Sequence, residues 1–497
     1  MSFLLLSSGF FLGWSLGAND GGNIFGPAIS TRMLKFRIAA IIASIFVILG
    51  ATFQGGGASQ TLSSLGSVNR LPGSFTVAVA AALTLYLMVR VKLPVSSSQA
   101  VVGAIIGWNL FSGAFTDFGV LIKIVSTWIF TPILSAGFAM GLFWLNKKLL
   151  SRKPISLFRY DYFTRVGYIM LIAFSAYSLG ANNIANVVGM FVDSSPFTPV
   201  VLFNRFMLSA QMQLFFFGGA SIALGILTKS ISNAQTVGDT IFKMSPITGF
   251  IAILSSSLVL FIFSSKGLQI FLTKLHFPTL PLVPVSSSQA IVGAIIGIGI
   301  MKGAKNIQYK NFSRLAIGWV INPIIACLIC FISLFFIQNV FDQTVFKPTK
   351  FVFNQNVINK LENVFVETRG LSIFTDKVFE NARELRSELN QLGHLSLRDK
   401  TYIAQKAEFY PMFVSSQSLS TIKARNYFSE IIYAPLLGLE NETFEHKWEL
   451  IDKLSEISDY WSFLPRKIAN DFYNSELEKR YELLYRIFSS PQTDSGI

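Results

Sequence analysis

Two serine-rich strings carry the most pointed chemistry in this chain. The first is Pro94-Val95-Ser96-Ser97-Ser98-Gln99-Ala100, followed by Val101-Val102-Gly103-Ala104-Ile105-Ile106-Gly107. The second runs from Pro284 through Ser286, Ser287, Ser288 and Gln289 to Gly297. It repeats the first at thirteen of fourteen positions, with Ile291 for Val101. A proline and three hydroxyls ahead of a glycine-spaced apolar run form the grammar of a helix start: serine to cap, proline near the first turn, then helix formers. Inside an apolar chain such a start offers unpaired N–H groups and the positive end of a dipole, both suited to an oxyanion. Two of them point to one site assembled from two halves.

A second pair of polar strings interrupts the apolar sequence. Gly17-Ala18-Asn19-Asp20-Gly21-Gly22-Asn23 closes the apolar run 3–17, and Gly180-Ala181-Asn182-Asn183-Ile184-Ala185-Asn186 closes the run that begins at Val166. A carboxylate, asparagines and glycines do not suit regular helix facing lipid. At membrane depth they belong where the chain lines a cavity or is covered by protein. The sequence therefore predicts a helix break at each string. Asp20, an intramembrane carboxylate, is functional by default; its structural alternative is an ion pair with Arg32 or Arg205. No string pairs a nucleophile with a base, so no enzyme is expected.

These residues need a membrane scaffold, and the composition supplies one. Of 497 residues 52% are hydrophobic and 14% charged, with mean hydropathy +0.52; a soluble protein carries about 25% charged residues. Residues 1–342 hold 22 Lys+Arg against 6 Asp+Glu, and the first glutamate is Glu362. Residues 343–497 hold 19 and 21. The break marks a domain boundary. The excess basic charge belongs to loops between spans, which argues against a nucleic-acid partner. Cys327 and Cys330 lie within an apolar span and read as packing residues rather than a metal or redox pair. The first apolar run reads as a retained span, not a cleaved signal.

Further apolar runs lie at about 38–53, 74–91, 100–115, 119–145, 200–226, 246–263, 290–301 and 315–338. The run 100–115 is short for a span of roughly 20 residues and reads as half of a re-entrant or broken helix. The landmarks recur. Asn19 to Asn182 is 163 residues, Gly56-Gly57-Ala58 to Gly218-Gly219-Ala220 is 162, and Pro94 to Pro284 is 190. Trp128 to Trp319 and Pro132 to Pro323 are both 191. This is a duplication with an insertion of about 28 residues in the second copy. The loop with Lys147, Lys148, Arg152, Lys153, Arg159 and Arg165 against Asp161 belongs in the cytoplasm. The turn after the first serine string carries only Asp117, whereas its counterpart carries Lys302, Lys305, Lys310 and Arg314. The copies therefore face opposite ways, as in many secondary transporters.

The fold class expected is an all-α polytopic membrane protein with inverted-topology repeats and broken or re-entrant helices, plus a C-terminal α-helical soluble domain. Residues 1–145 form the first repeat, 146–165 a basic cytoplasmic linker and 166–342 the second repeat. Residues 343–497 form the soluble domain, placed outside the cytoplasm because the last span exits outward. Helical spacing there is read at 361–366, 379–385 and 450–457, with His394 and His446 as ordinary surface or packing residues.

The four strings, in this order, resemble the paired signatures of the inorganic phosphate transporter (PiT) family over residues 1 to about 340. The resemblance implies an inverted-repeat carrier in the plasma or inner membrane that moves inorganic phosphate with sodium ions or protons, usually as a homodimer. Carried over by position, it implies that Asp20, Asn23, Asn183 and Asn186 contribute from the glycine-asparagine strings. Ser96, Ser97, Ser98, Ser286, Ser287 and Ser288 would donate to phosphate, and no cofactor is implied. A bound sodium ion would lie near Asp20, Asn19 and Asn182, since helix-end carbonyls and a carboxylate suit a cation. Two departures stand out: Asn183 where the family commonly has aspartate, and Ser-Ser-Gln at 97–99 and 287–289 where it commonly has Thr-Thr-His. The first leaves the ion open and the second removes a titratable group. A sulfate or other oxyanion permease on this scaffold and a non-transporting membrane sensor of phosphate are the alternatives.

Overall fold

The computed structural model describes residues 2–66, 68–90, 96–150, 156–197, 200–202, 206–231, 245–275, 277, 280–303, 309–362, 370–424, 427–465 and 470–489. Pro94, Val95, Arg152, Lys153, Arg205, Lys305 and the segment 363–366 of the sequence reading lie outside the described residues.

The chain divides into two compact units, Met1–Leu268 with Leu280–Lys347 and Gln269–Thr279 with Pro348–Ile497. In the first unit, α1 (Ser2–Leu5) and α2 (Ser7–Ser30) are followed by α3 (Phe36–Gln54), α4 (Gly56–Leu65) and α5 (Leu71–Arg90). Then come α6 (Ser97–Ser112), α7 (Phe118–Leu150) and α8 (Leu157–Val188). A short hairpin, β1 (Val200–Leu202) with β2 (Phe206–Leu208), leads to α9 (Ala210–Lys229) and α10 (Pro246–Ser264). The unit closes with α12 (Ser287–Met301) and α13 (Tyr309–Asn339); α11 (Lys266–Lys274), between α10 and α12 in the chain, falls mostly in the second unit. Seven of the described helices are long and apolar enough to cross a membrane. Their exposed faces carry Ile41, Ile45, Phe53, Ile129, Phe130, Ile133, Leu328 and Phe335, side chains that lipid would cover. The protein is a multi-pass membrane protein.

The serine helices α6 and α12 are half-helices of 16 and 15 residues, about three-quarters of a bilayer crossing. Ser96 and Ser286 sit at their N-caps in extended backbone, and α6 ends on Gly113 at φ +77°, where a residue without Cβ is favoured. Each packs against the proline-bearing helix of the other repeat. A methyl on Gly103 would stand 2.1 Å from Pro323 O, and one on Gly293 2.2 Å from Pro132 O. The repeats therefore interlock by exchanging half-helices, with the glycines admitting backbone contact.

The glycine-asparagine strings are not breaks. The first lies within α2, which is continuous from Ser7 to Ser30, and the second within α8, which runs to Val188. Their glycines serve close packing instead. A methyl on Gly17 would stand 2.0 Å from Ile222 O, and one on Gly180 2.1 Å from Val47 O. The same pattern corrects the repeat register. Trp14 O faces Gly225 as Tyr177 O faces Gly50, each within 2.1 Å of the added methyl. The offset is thus 163 between α2 and α8 but 175 between α3 and α9, and the Gly56-Gly57-Ala58 match at 162 is a chance likeness. The insertion arrives in two parts. One is the β1–β2 hairpin where the first repeat has a tight turn at 31–35; the other includes α11, between α10 and the second serine string.

The second unit carries short helices: α14 (Gln355–Glu362), α15 (Ala382–Gln391), α16 (Leu397–Ala407), α17 (Ser416–Ala424), α18 (Glu430–Leu437), α19 (Lys447–Ile457) and α20 (Asp471–Phe488). Phe351–Val352 pairs antiparallel with Val378–Phe379, and Met412–Phe413 with Thr443–Phe444, pairings too short to be read from sequence. Leu436, Leu450, Leu454, Trp461, Leu477, Tyr481 and Leu484 form a core of its own. His446 is fully buried, its Nδ1 against Glu408 O at 2.9 Å and its ring stacked on Trp448. His394 has its Nδ1 against Leu392 O at 2.6 Å.

Candidate functional site

Asp20 is the centre of the site. It is 1% exposed, at a depth where an unpaired carboxylate would be very costly. Three uncharged donors satisfy it. Asn19 Nδ2 donates to Oδ1 at 3.0 Å, Asn183 Nδ2 to Oδ2 at 3.1 Å and Ser287 Oγ to Oδ2 at 2.7 Å. No ion pair with Asp20 occurs among the described residues. Three of the four strings thus converge on one carboxylate: both glycine-asparagine strings and the second serine string.

The second half is tied together more tightly than the first. Asn182 holds the residue before the second serine cap at two points: its Nδ2 donates to Val285 O at 2.7 Å and its Oδ1 accepts from Val285 N at 2.9 Å. Asn182 Nδ2 also lies 2.8 Å from Asn183 Oδ1, and Asn186 Nδ2 lies 3.4 Å from that oxygen. Ser286 Oγ caps α12 by accepting from Gln289 N at 3.2 Å. Asn182 and Asn183 therefore have their amides engaged by protein, and Asn19 is bound to the carboxylate.

The first serine string stands apart from this network. Ser96 Oγ and Ser98 Oγ are 2.9 Å from each other, and Asn322 Nδ2 donates to Ser96 O at 2.8 Å. No hydrogen bond joins Ser96, Ser97 or Ser98 to Asp20 among the described residues, although all three are buried. Asn23 and Ser288 are half-buried, as is Asn19 one turn before Asn23. The sequence reading missed Asn322, which precedes the recurring Pro323 and fastens the first serine cap. It named Gln99 and Gln289 as departures from the family pattern but left them out of the site; both are fully buried, with amide oxygen and nitrogen unpartnered among the described residues. The signal was present: each is the only large polar residue to follow its serine run before the apolar stretch.

Chemically, the arrangement offers an acceptor that is dry and preorganised, ringed by amide donors from within α2 and α8 and a hydroxyl at the start of α12. Such donors turn toward an oxyanion when one arrives, and the carboxylate takes a proton or faces a cation.

Comparison with known proteins bears on the family and the fold. A Methanocaldococcus jannaschii protein whose name reads "putative phosphate permease" is 30% identical over 325 residues, covering 65% of this chain and 93% of its own length. The sulfate permease CysP of Bacillus subtilis is 29% identical over 335 residues, covering 65% and 85%. A solved structure, the sodium-dependent phosphate transporter, superimposes with a TM-score of 0.53 at 18% identity, over 67% of this chain and 99% of that one; this likeness is one of fold. The phosphate transporter family model matches residues 16–277 and 272–394, beyond the last of the four strings. The chain belongs to the phosphate transporter family.

Proposed function

We propose that the protein imports inorganic phosphate by symport with sodium ions or protons. The observation that carries the reading is the buried Asp20 carboxylate, held by donors from both halves of the molecule. In this reading phosphate enters as the protonated anion, and Asp20 accepts its P–OH hydrogen bond. Ser287, Asn183 and the α6 and α12 helix starts donate to its oxygens, joined by Ser96, Ser97, Ser98, Ser286, Ser288, Asn23 and Asn186. A cation near Asp20, Asn19 and Asn182 would offset the negative charge, linking the driving ion to the substrate. The likeness to a protein titled sodium-dependent supports sodium as that ion.

Sulfate is the second reading, favoured by the Bacillus subtilis relative. Fully ionised sulfate brings no proton, so its oxygens would face the Asp20 carboxylate as bare acceptors, which disfavours it. Purified protein in liposomes, given labelled phosphate or sulfate with an imposed sodium or proton gradient, tests both. The expected result is gradient-driven phosphate accumulation that excess sulfate does not suppress. Sulfate accumulation without phosphate uptake would transfer the assignment to sulfate, and no uptake of either would favour a sensor.

A further inference from the structure

Beyond the serine strings the two half-helices part company. The repeat holds as far as Gly107 and Gly297, and then Trp108-Asn109 in α6 stands where α12 has Ile298-Gly299. Trp108 and Asn109 are both buried, and both donate to groups outside α6. Asn109 Nδ2 donates to Leu65 O at 3.0 Å and to Thr116 Oγ1 at 2.9 Å, and Trp108 Nε1 donates to Val345 O at 3.3 Å. Val345 belongs to an irregular segment, residues 343–347, that follows α13. Asp342 stands at φ +50°, and Gln343 N donates back to Ile337 O at 3.2 Å, so the chain leaves the helix by a left-handed cap. It then runs against α5 and α6. Val345 is fully buried, Phe346 meets Phe111 edge to face with ring centroids 6.2 Å apart, and a methyl on Gly73 would stand 2.2 Å from Val345 O. Asn69, just ahead of α5, holds Lys347 as a neighbouring strand would: its Nδ2 donates to Lys347 O at 2.9 Å and its Oδ1 accepts from Lys347 N at 2.8 Å.

Covered backbone outside helix and sheet needs side-chain partners, and α6 supplies one where Ile298 and Gly299 of α12 have no donor to give. The two half-helices are thus held at different ends. The serine end of α12 is fixed by Ser287 on Asp20 and by Asn182 on Val285. The serine end of α6 has, among the described residues, one hydrogen bond to another helix, from Asn322. Its further ties come from Trp108 and Asn109, about 16 Å along the helix from Ser97.

We propose that residues 343–347 are an autoinhibitory strap. Seated on Asn69, Gly73 and Trp108, the strap holds α6 and with it Ser96, Ser97 and Ser98 in the closed arrangement that buries Asp20, and α6 moves when the strap lifts. The proposal rests on the transport reading of the serine strings. The second unit resumes at the next residue, Pro348, so a load on that unit falls first on the Asn69–Lys347 pair. The tail thereby gains a role: control of transport through one half-helix.

The test locks and loosens the strap in the full-length protein. Asn69→Cys with Lys347→Cys, reconstituted in liposomes, is oxidised to fasten the strap and reduced to free it; each single variant, treated alike, controls for Cys327 and Cys330. Gradient-driven phosphate uptake falls about tenfold on oxidation, as the closed state is made dominant, and returns on reduction. Asn69→Leu and Trp108→Phe raise the initial rate about threefold, the loss of one or two hydrogen bonds that hold the strap. Both also quicken amide hydrogen exchange along α6 relative to α12. A strap that merely packs gives a different pattern: loosening lowers melting temperature and uptake together, and oxidation leaves uptake unchanged. Either result overturns the proposal. Should the wild type take up neither phosphate nor sulfate under any gradient, the transport reading fails by itself. The strap is then judged by exchange, and α6 amides that do not quicken in Asn69→Leu overturn it.

Discussion

The two serine strings are nearly the same sequence in different company. Ser287 binds a carboxylate across the molecule, and Val285 beside it is gripped at two points by Asn182. Among the described residues Ser97 has no such partner, Ser96 bonds within its own turn and to Asn322, and Ser96, Ser97 and Ser98 bond to no acid. The reason lies elsewhere in the chain. Asp20 of the first repeat is answered by Asn183 in the second, so one carboxylate serves a site with two halves. It engages the half-helix of the opposite repeat. Duplication thus supplied the symmetric donors, while a single unmatched acid made one half the holder.

Removing the acid breaks this comparison most severely. Asp20→Asn leaves a single amide oxygen and introduces an NH₂ group, which then faces the donors Asn19, Asn183 and Ser287. Coupled uptake is expected to fall about a hundredfold or more, since charge-assisted hydrogen bonds of about 1.5–3 kcal/mol are lost together. The protein should still reach the membrane and elute as folded material on gel filtration. Transport at the wild-type rate would remove Asp20 from the site.

A sharper form compares the serines directly. Ser287→Ala removes the 2.7 Å bond to Asp20 and should lower phosphate uptake about tenfold. Ser97→Ala removes no hydrogen bond to the acid and should lower it by about threefold or less. Equal losses would mean that both strings grip the substrate alike and that the asymmetry has no part in transport.

Much of this was legible in the sequence, for reasons that also account for the failures. The serine strings declare themselves because proline, hydroxyls and an apolar run act locally to start a helix, and α6 and α12 begin where those signals stand. The burial of Asp20 among partners was legible because a carboxylate within apolar sequence is too costly to leave facing lipid unpaired. The glycine-asparagine strings misled because glycine signals both a broken helix and a tight crossing. Only the partner, Ile222 for Gly17 and Val47 for Gly180, decides between them. The repeat register failed at Gly56-Gly57-Ala58 because a small-residue cluster says nothing about which neighbour it meets. The unpartnered glutamines could be named from sequence but not interpreted, since their meaning rests on atoms far away in the chain.

The smallest difference is expected where the halves are most alike. Gly103 and Gly293 each lie against a proline carbonyl of the opposite repeat, so an alanine methyl would sit 2.1 or 2.2 Å from oxygen, well inside contact distance. Backbone cannot yield as a side-chain tip does, so each half-helix must slide away from its partner. Overpacking of this kind costs about 1–3 kcal/mol. Gly103→Ala and Gly293→Ala should therefore lower the melting temperature of the solubilised protein by amounts that agree within about 1 kcal/mol equivalent. The interlock would then be symmetric even though the carboxylate contact is not. If Gly293→Ala proves far more harmful, the extra loss comes from the Asp20 and Asn182 contacts that follow α12 as it moves. The asymmetry of the site would then be part of what holds the two repeats together.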